Sequence, residues 1–161
     1  MSGLRIAVGS DMGHPTAEAV AARLETAGHR VLRRGAVAGA DTPWPLAAAQ
    51  VAELVASGDA DLGVVCCWTG TGVSIAANKV DGVRAALCGD AETARGARRW
   101  NDANVLALSL RASTEAVAGE ITDAFVSTAD LDPAEAANIS AVTELERRRA
   151  PAAAGTTTGS L

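Results

Sequence analysis

Apolar residues recur along the chain in short runs, separated by breaks that carry glycine, proline or charge. Leu4 to Val8 reads as a strand that ends in Gly9-Ser10-Asp11. Pro15-Thr16 then opens a helical pattern, in which Ala17, Val20, Leu24 and Ala27 share one face and Gly28 closes the element. His29 to Leu32 predicts a second, weaker strand. Pro45 starts a helix carrying Leu46, Val51, Leu54 and Val55, and Gly58 stops it. Asp61 to Cys67 reads as a buried strand, followed by Thr69-Gly70-Thr71-Gly72 and a helix to about Lys79. Val83 to Cys88 gives strand four, Asp90 caps a helix to about Trp100, and Asn104 to Leu108 is strand five. Ser113 is the expected cap of the next helix, with Val117, Ile121 and Phe125 facing inwards. Asp132-Pro133-Ala134-Glu135 has the form of a capping box and predicts a last helix.

Strands alternating with helices of about 10 to 15 residues imply right-handed βαβ units and a parallel sheet. The expected fold is α/β: a Rossmann-like, doubly wound domain over residues 1–149 with flanking helices and a C-terminal helix. Its five parallel strands are expected in the order 2-1-3-4-5. Residues 150–161, "APAAAGTTTGSL", are of low complexity and are expected to be disordered. Such sheets bind ligands beyond the carboxyl ends of their strands, at the switch point between strands one and three. Three loops are expected to meet there: Ser10 to His14, Cys67 to Gly72, and Trp100-Asn101-Asp102 with Arg111 beyond the next strand.

Composition narrows the function. With 161 residues, 48% of them hydrophobic and 20% charged, the chain suits one globular domain. A net charge of −5 argues against a nucleic-acid or anionic-membrane surface, and Arg147-Arg148-Arg149 reads as a solvated helix end. The first residues show no signal peptide, and no apolar run approaches the ~20 residues that span a bilayer. Three cysteines, two of them adjacent, make no disulfide framework and suit a reducing cytoplasm. Zinc is disfavoured, because no C-x-x-C occurs and only His14 and His29 could add nitrogen ligands. No cofactor or metal is expected.

The glycine turn carries the candidate chemistry. Gly70 and Gly72 let backbone approach a ligand, and the helix that follows offers unpaired N–H groups and a positive dipole end. That is a cradle for a phosphate or an oxyanion; plain packing is the alternative. A dinucleotide site fits poorly, since Ile75 replaces the third glycine and strand two ends in Arg33-Arg34 instead of an acid. No G-K-[ST] follows, so a P-loop also fails. Adjacent strand residues point to opposite faces, so only one of Cys66 and Cys67 can face the cleft. Cys67 lies nearer the helix start, where the dipole favours the thiolate over the unperturbed value of roughly 8.5. Cys66 and Cys88 read as small core residues.

The segments "IAVGSD", "VVCCWTGTGVSIAANKVDGVRAALC" and "WNDANVLALSLR" resemble the three signature segments of the type B ribose-5-phosphate isomerases, a family that includes the galactose-6-phosphate isomerases. The similarity runs from about residue 4 to 127. It implies a metal-independent aldose–ketose isomerase acting on a small sugar or sugar phosphate through a cis-enediolate. It also implies a homodimer, or a tetramer of such dimers, with sites shared between subunits. On that resemblance Cys67 is the base, Thr69 with Gly70 and Gly72 stabilises the enediolate, and Asp11 binds sugar hydroxyls. Asn101 and Arg111 match residues contributed by the partner, while Ser74, His14, Trp68 and Trp100 fall among the substrate contacts.

The departures point to a remodelled pocket. Trp68 stands where the family has glycine, Met12 and Trp100 where it has histidines, and Ala136-Ala137-Asn138-Ile139-Ser140-Ala141 where it has phosphate-binding basic residues. The family's Asp-Tyr-Pro is Pro43-Trp44-Pro45. The expected function is therefore an aldose–ketose isomerase whose substrate is not simply ribose 5-phosphate. An epimerase or tautomerase using the same loop, and a sugar-binding relative without turnover, are the alternatives.

Overall fold

The structure, a computed structural model, describes residues 3–149; the tail expected to be disordered lies outside them. Five strands form one all-parallel sheet: β1 (Arg5–Ser10), β2 (Arg30–Gly35), β3 (Leu62–Cys67), β4 (Ala85–Leu87) and β5 (Val105–Ser109). Between and after them run α1 (Pro15–Thr26), α2 (Trp44–Ala56), α3 (Thr71–Ala77), α4 (Ala91–Asn101), α5 (Glu115–Ser127) and α6 (Ala136–Arg149). The doubly wound α/β expectation is met.

Strand order is the correction. The sheet reads β2-β1-β3-β5-β4, so strand five lies inside and strand four at the edge. β5 is apolar on both faces, with Val105 to Leu108 fully buried, as an inner parallel strand requires. β4 is three residues long and leaves Leu87 40% exposed, which an edge tolerates. The return from β4 to β5 also moves α4 across the sheet, because a right-handed crossover running backwards must pass over the opposite face.

Each strand therefore alternates between two cores. Ile6, Val8, Val64, Cys66, Leu106 and Leu108 pack with α1, α4 and α5; Ala7, Val65, Cys67, Val105 and Ala107 pack with α2 and α3. Helix starts follow the sequence closely. Asp90 Oδ1 accepts from Thr93 N at 2.7 Å, and Asp132 caps the turn before α6. Two expectations fail locally. Thr114, not Ser113, caps α5, because its hydroxyl reaches Val117 N at 3.2 Å. Val117 lies in the first turn of α5 and faces solvent, while Ile121 and Phe125 are buried; Leu46 on α2 is likewise exposed.

Candidate active site

β1 and β3 are neighbours, with Ser10 opposite Cys66, so the loops after both strands open side by side at the carboxyl edge. The loop after β3 is stitched to the turn after β5. Cys67 O accepts from Leu110 N at 3.0 Å, and Trp68 O accepts from both Arg111 N at 2.9 Å and Ser109 Oγ at 3.1 Å. Ser109 Oγ in turn accepts from Ala112 N at 3.1 Å. Gly70 has a φ of 74°, and a Cβ there would sit 2.9 Å from the Leu108 carbonyl, so only glycine fits. Gly72 serves a different purpose: a Cβ would stand 3.0 Å from the Trp44 ring, which lies over it. Gly70 is thus required by the backbone, while Gly72 lets the Trp44 ring lie close against the loop.

The reactive groups sit on this frame. Cys67, last in β3, keeps 6% exposure, whereas Cys66 is sealed on the opposite face. Burial, with lesser help from Cys67 and Asp11, pushes the Cys66 thiol up to about 12. Cys88 is also buried. Thr69 Oγ1 lies 2.7 Å from Thr71 Oγ1, both side chains facing out of the loop. Ser74 is half-buried in the first turn of α3. Asp11 Oδ1 is buried and has no hydrogen-bond partner among the described residues. Such an acceptor is costly unless something donates to it. Ser10 Oγ donates to Met12 O at 2.9 Å and shapes the same loop.

His14 has a structural duty: its Nδ1 accepts from Thr16 N at 3.2 Å as the N-cap of α1, so the neutral ring carries its proton on Nε2. Trp44 and Trp68 are each about half exposed at this edge. Arg111 is exposed, and its guanidinium makes no ion pair among the described residues.

Trp100 and Asn101 are elsewhere. α4 runs back against the strands, so its last turn lies at the amino edge beside the start of β5. The expectation that all three loops meet within one chain is therefore corrected, and Arg111 is tied by its backbone to its own chain's Trp68. Trp100, 47% exposed, lines a groove of about 500 Å³ with Asn101, Arg84, Val83 and, from α6, Ile139 and Val142. The end of α4 is held by arginines. Arg98 lies over the Phe125 ring at 5.4 Å and donates to Thr128 O and Ala103 O. Arg84 donates to Asp102 O at 2.7 Å and Oδ2 at 2.9 Å. Asp102 is the one non-glycine residue with positive φ, 50°, among the described residues. That conformation costs most side chains roughly 1–2 kcal/mol, least for Asn and Asp.

Sequence reading missed Ser109, Asn78 and Arg84. Ser109 was visible as a polar residue ending an apolar strand. Asn78 bonds Ala85 through both amide atoms and ties α3 to β4; it carried no separate signal.

No helix among the described residues is long and apolar enough to cross a membrane. No group of three or more His, Cys, Asp and Glu side chains among the described residues is placed to hold a metal. Fold and loops together define a doubly wound α/β protein with Cys67, Thr69 and Asp11 gathered at the switch point of a parallel sheet, where such folds bind ligands. A family model described as Ribose/Galactose Isomerase matches residues 6–142, and the chain belongs to that family of isomerases. Ribose-5-phosphate isomerase B of Escherichia coli is 36% identical over 90% of this chain and 98% of its own length. The galactose-6-phosphate isomerase subunit LacB of Clostridium acetobutylicum is 44% identical over 64% of the chain and 60% of its own. Among solved structures, Clostridium thermocellum ribose-5-phosphate isomerase B superposes with a TM-score of 0.86 at 36% identity, covering 91% of this chain and all of that one. Mycoplasma genitalium ribose-5-phosphate isomerase B, solved with bound ribulose-5-phosphate, gives 0.80 at 33% identity over 89% and 96% of the two chains.

Proposed function

We propose that this protein interconverts an aldose and a ketose of a small sugar or sugar phosphate through a cis-enediolate, with Cys67 as base and no metal. The observation that carries the reading is the grouping at one edge of the sheet: Cys67 at the end of β3, the Thr69 hydroxyl on a hydrogen-bonded loop, and the unpartnered oxygen of Asp11. Cys67 Sγ, as thiolate, takes the proton from C2, and the electron pair moves into the C1 carbonyl. Thr69 and backbone N–H groups around Gly70 and Gly72 stabilise the oxyanion; such donors are worth several kcal/mol in related chemistry, roughly 2.7–4 for one donor. The thiol returns its proton to C1, and the O2 hydroxyl proton passes to O1, completing the ketose. Asp11 accepts from a substrate hydroxyl.

Asn101 and Trp100 point to a shared site. They stand at the amino edge of their own chain, so they serve chemistry only if a second copy brings them to the carboxyl edge of its partner. The half-exposed Ile139, Val142 and Leu145 on α6 give that copy an apolar surface to cover. We read the protein as a homodimer.

The substrate follows from the tryptophans. Indole donates a hydrogen bond but cannot serve as the base that opens a furanose or pyranose ring, and His14 Nδ1 is committed to its helix cap. A four-carbon ketose, which forms no stable ring, suits this pocket better than a pentose phosphate. The test is a screen of tetrose, pentose and hexose sugars, with and without phosphate, for exchange in deuterated water of the carbon-bound proton beside the carbonyl, at C2 of an aldose or C1 of a ketose. Fastest turnover is expected with erythrulose-type substrates. Equal rates for cyclic pentose phosphate, unchanged in His14→Ala, would refute the substrate preference. Exchange without net isomerisation would replace the isomerase with an epimerase or tautomerase, and absence of exchange on every sugar would leave a binding protein.

A further inference from the structure

The geometry points to the Arg84–Asp102 pair as a positioning device for the reaction: it fixes the last turn of α4 so that Asn101 and Trp100 are presented at one angle to the partner's site. The inference rests on the shared-site reading above. It starts from an oddity. A helix that ends in the left-handed region ordinarily does so on glycine or asparagine, yet here an aspartate takes that conformation at the residue directly after Asn101. Its carboxylate makes no contact that caps α4 itself. Instead it meets the guanidinium of Arg84, the residue just before β4, which donates Nη2–H to Oδ2 at 2.9 Å and Nε–H to the Asp102 carbonyl at 2.7 Å.

Arg84 is itself immobilised. Its backbone N–H donates to Asn104 Oδ1 at 2.8 Å, its carbonyl accepts from Asn104 N at 3.0 Å, and Asn104 Nδ2 donates to Gly82 O. Both side chains are only about a quarter to a third exposed. The planar fork of arginine thus reads the direction of the peptide after Asn101 as well as the carboxylate, which a point charge could not do. On the other side Trp100 lies across Gly96, where a Cβ would come within 2.5 Å of the ring. Asn101 is thus flanked on both sides by residues held in place. Arg84, Trp100 and Asn101 all line the same groove, so clasp and presented residues share one wall. A residue that only ended the helix would be replaced by glycine without loss. A residue that aims a catalytic contact would not.

Asp102→Gly separates the two, since glycine accepts the left-handed backbone and keeps the fold while removing the carboxylate. The expected result is a melting temperature equal to or above the parent's, with kcat lowered roughly tenfold and KM little changed, as misplacement of a catalytic group produces. Asp102→Asn, which tolerates the same conformation and can still accept from Arg84, should recover most of that loss, and Arg84→Lys should not. In amide NMR spectra the Trp100 indole signal should shift or broaden in Asp102→Gly while those of Trp44 and Trp68 stay in place. Arg95→Ala, which breaks an exposed ion pair on α4, serves as the control and should change nothing. If Asn101→Ala impairs turnover and Asp102→Gly does not, the clasp is overturned and the shared site stands. If Asn101→Ala and Trp100→Ala are both silent, the shared site falls and the clasp's role with it.

Discussion

The two edges of the sheet are held by different means. At the carboxyl edge the loop around Cys67 is fixed mainly by main-chain bonds, Cys67 O to Leu110 N and Trp68 O to Arg111 N, and by glycines with no room for a Cβ. At the amino edge, Trp100 and Asn101 are fixed by side chains, Arg84 on Asp102 and Arg98 on Ala103. Main-chain stitching keeps a loop's shape across many sequences, because it depends on few side chains. Side-chain clasps hold only while both partners persist. The first edge should therefore resist most substitutions except at the reacting groups, and the second should respond to changes several residues away.

The largest effect should come from the reacting group. Cys67→Ala is expected to cut turnover by roughly 10² or more, measured by steady-state kinetics on the best substrate of the screen. Cys66→Ala, altering a sealed residue on the opposite face, should leave turnover within about twofold and act on stability. Equal catalytic losses from both would mean that the wrong thiol carries the chemistry.

Next comes the reach of the amino edge into a second chain. Val142→Asp combined with Leu145→Asp places charge on apolar side chains that are already 48% and 62% exposed, so the isolated chain should fold as before. Sedimentation should show a monomer, with activity at nanomolar concentration down by at least about tenfold, because burying unpaired charge in an interface costs several kcal/mol. A fully active monomer would break the comparison by making the carboxyl edge sufficient alone.

Arg111 should matter less. Its guanidinium has no acidic partner among the described residues, and its backbone is part of the stitched turn. Charge-assisted bonds to phosphate contribute about 1.5–3 kcal/mol, so Arg111→Ala should raise KM for a phosphorylated substrate roughly tenfold or more and leave an unphosphorylated one unaffected. Inorganic phosphate should compete weakly. Tight phosphate inhibition that survives the change would point to another anion site.

The smallest effect is seen only in alkali. Burial pushes Cys66 up to about 12 and, with Asp90, Cys88 up to about 11. Unfolding exposes both thiols, which then ionise near the ordinary value of 9.0. Above that pH the unfolded chain gives up protons that the folded chain retains, so stability falls as pH rises towards 12. Cys66→Ala should flatten this limb in denaturant titrations while leaving neutral behaviour much closer to the parent. An unchanged slope would mean that other groups set it.

The carboxyl edge was legible in the sequence because its chemistry is contiguous: Cys67, Thr69, Gly70 and Gly72 lie within six positions, and periodicity alone puts them after a buried strand. Even there the sequence did not show that Gly72 also makes room for Trp44, a contact 28 residues away in sequence. The amino edge was legible only in part. That Trp100 falls there follows from any βαβ unit, but hydrophobic period identifies strands without ordering them, so the face of α4 and the neighbours of Trp100 depend on the chain doubling back after β4. A signal existed in Arg84, a charge inside the segment read as strand four, against the uninterrupted apolar run Val105–Leu108. Ser113 and Thr114 are both good caps, and backbone geometry alone chose between them.

That reversal at β4 has a consequence for synthesis. Among the strands of the described residues β4 pairs with β5 alone, and β5 begins about 20 residues later in the chain. At roughly 5–20 residues per second, a nascent chain carries β4 without its native neighbour for about one to a few seconds. During that time β2 and β3 both present open edges to it, and native assembly requires β5 to take the place beside β3. The brevity of β4 keeps the wrong pairing weak. A variant that extended it would strengthen the trap before the proper partner had left the ribosome.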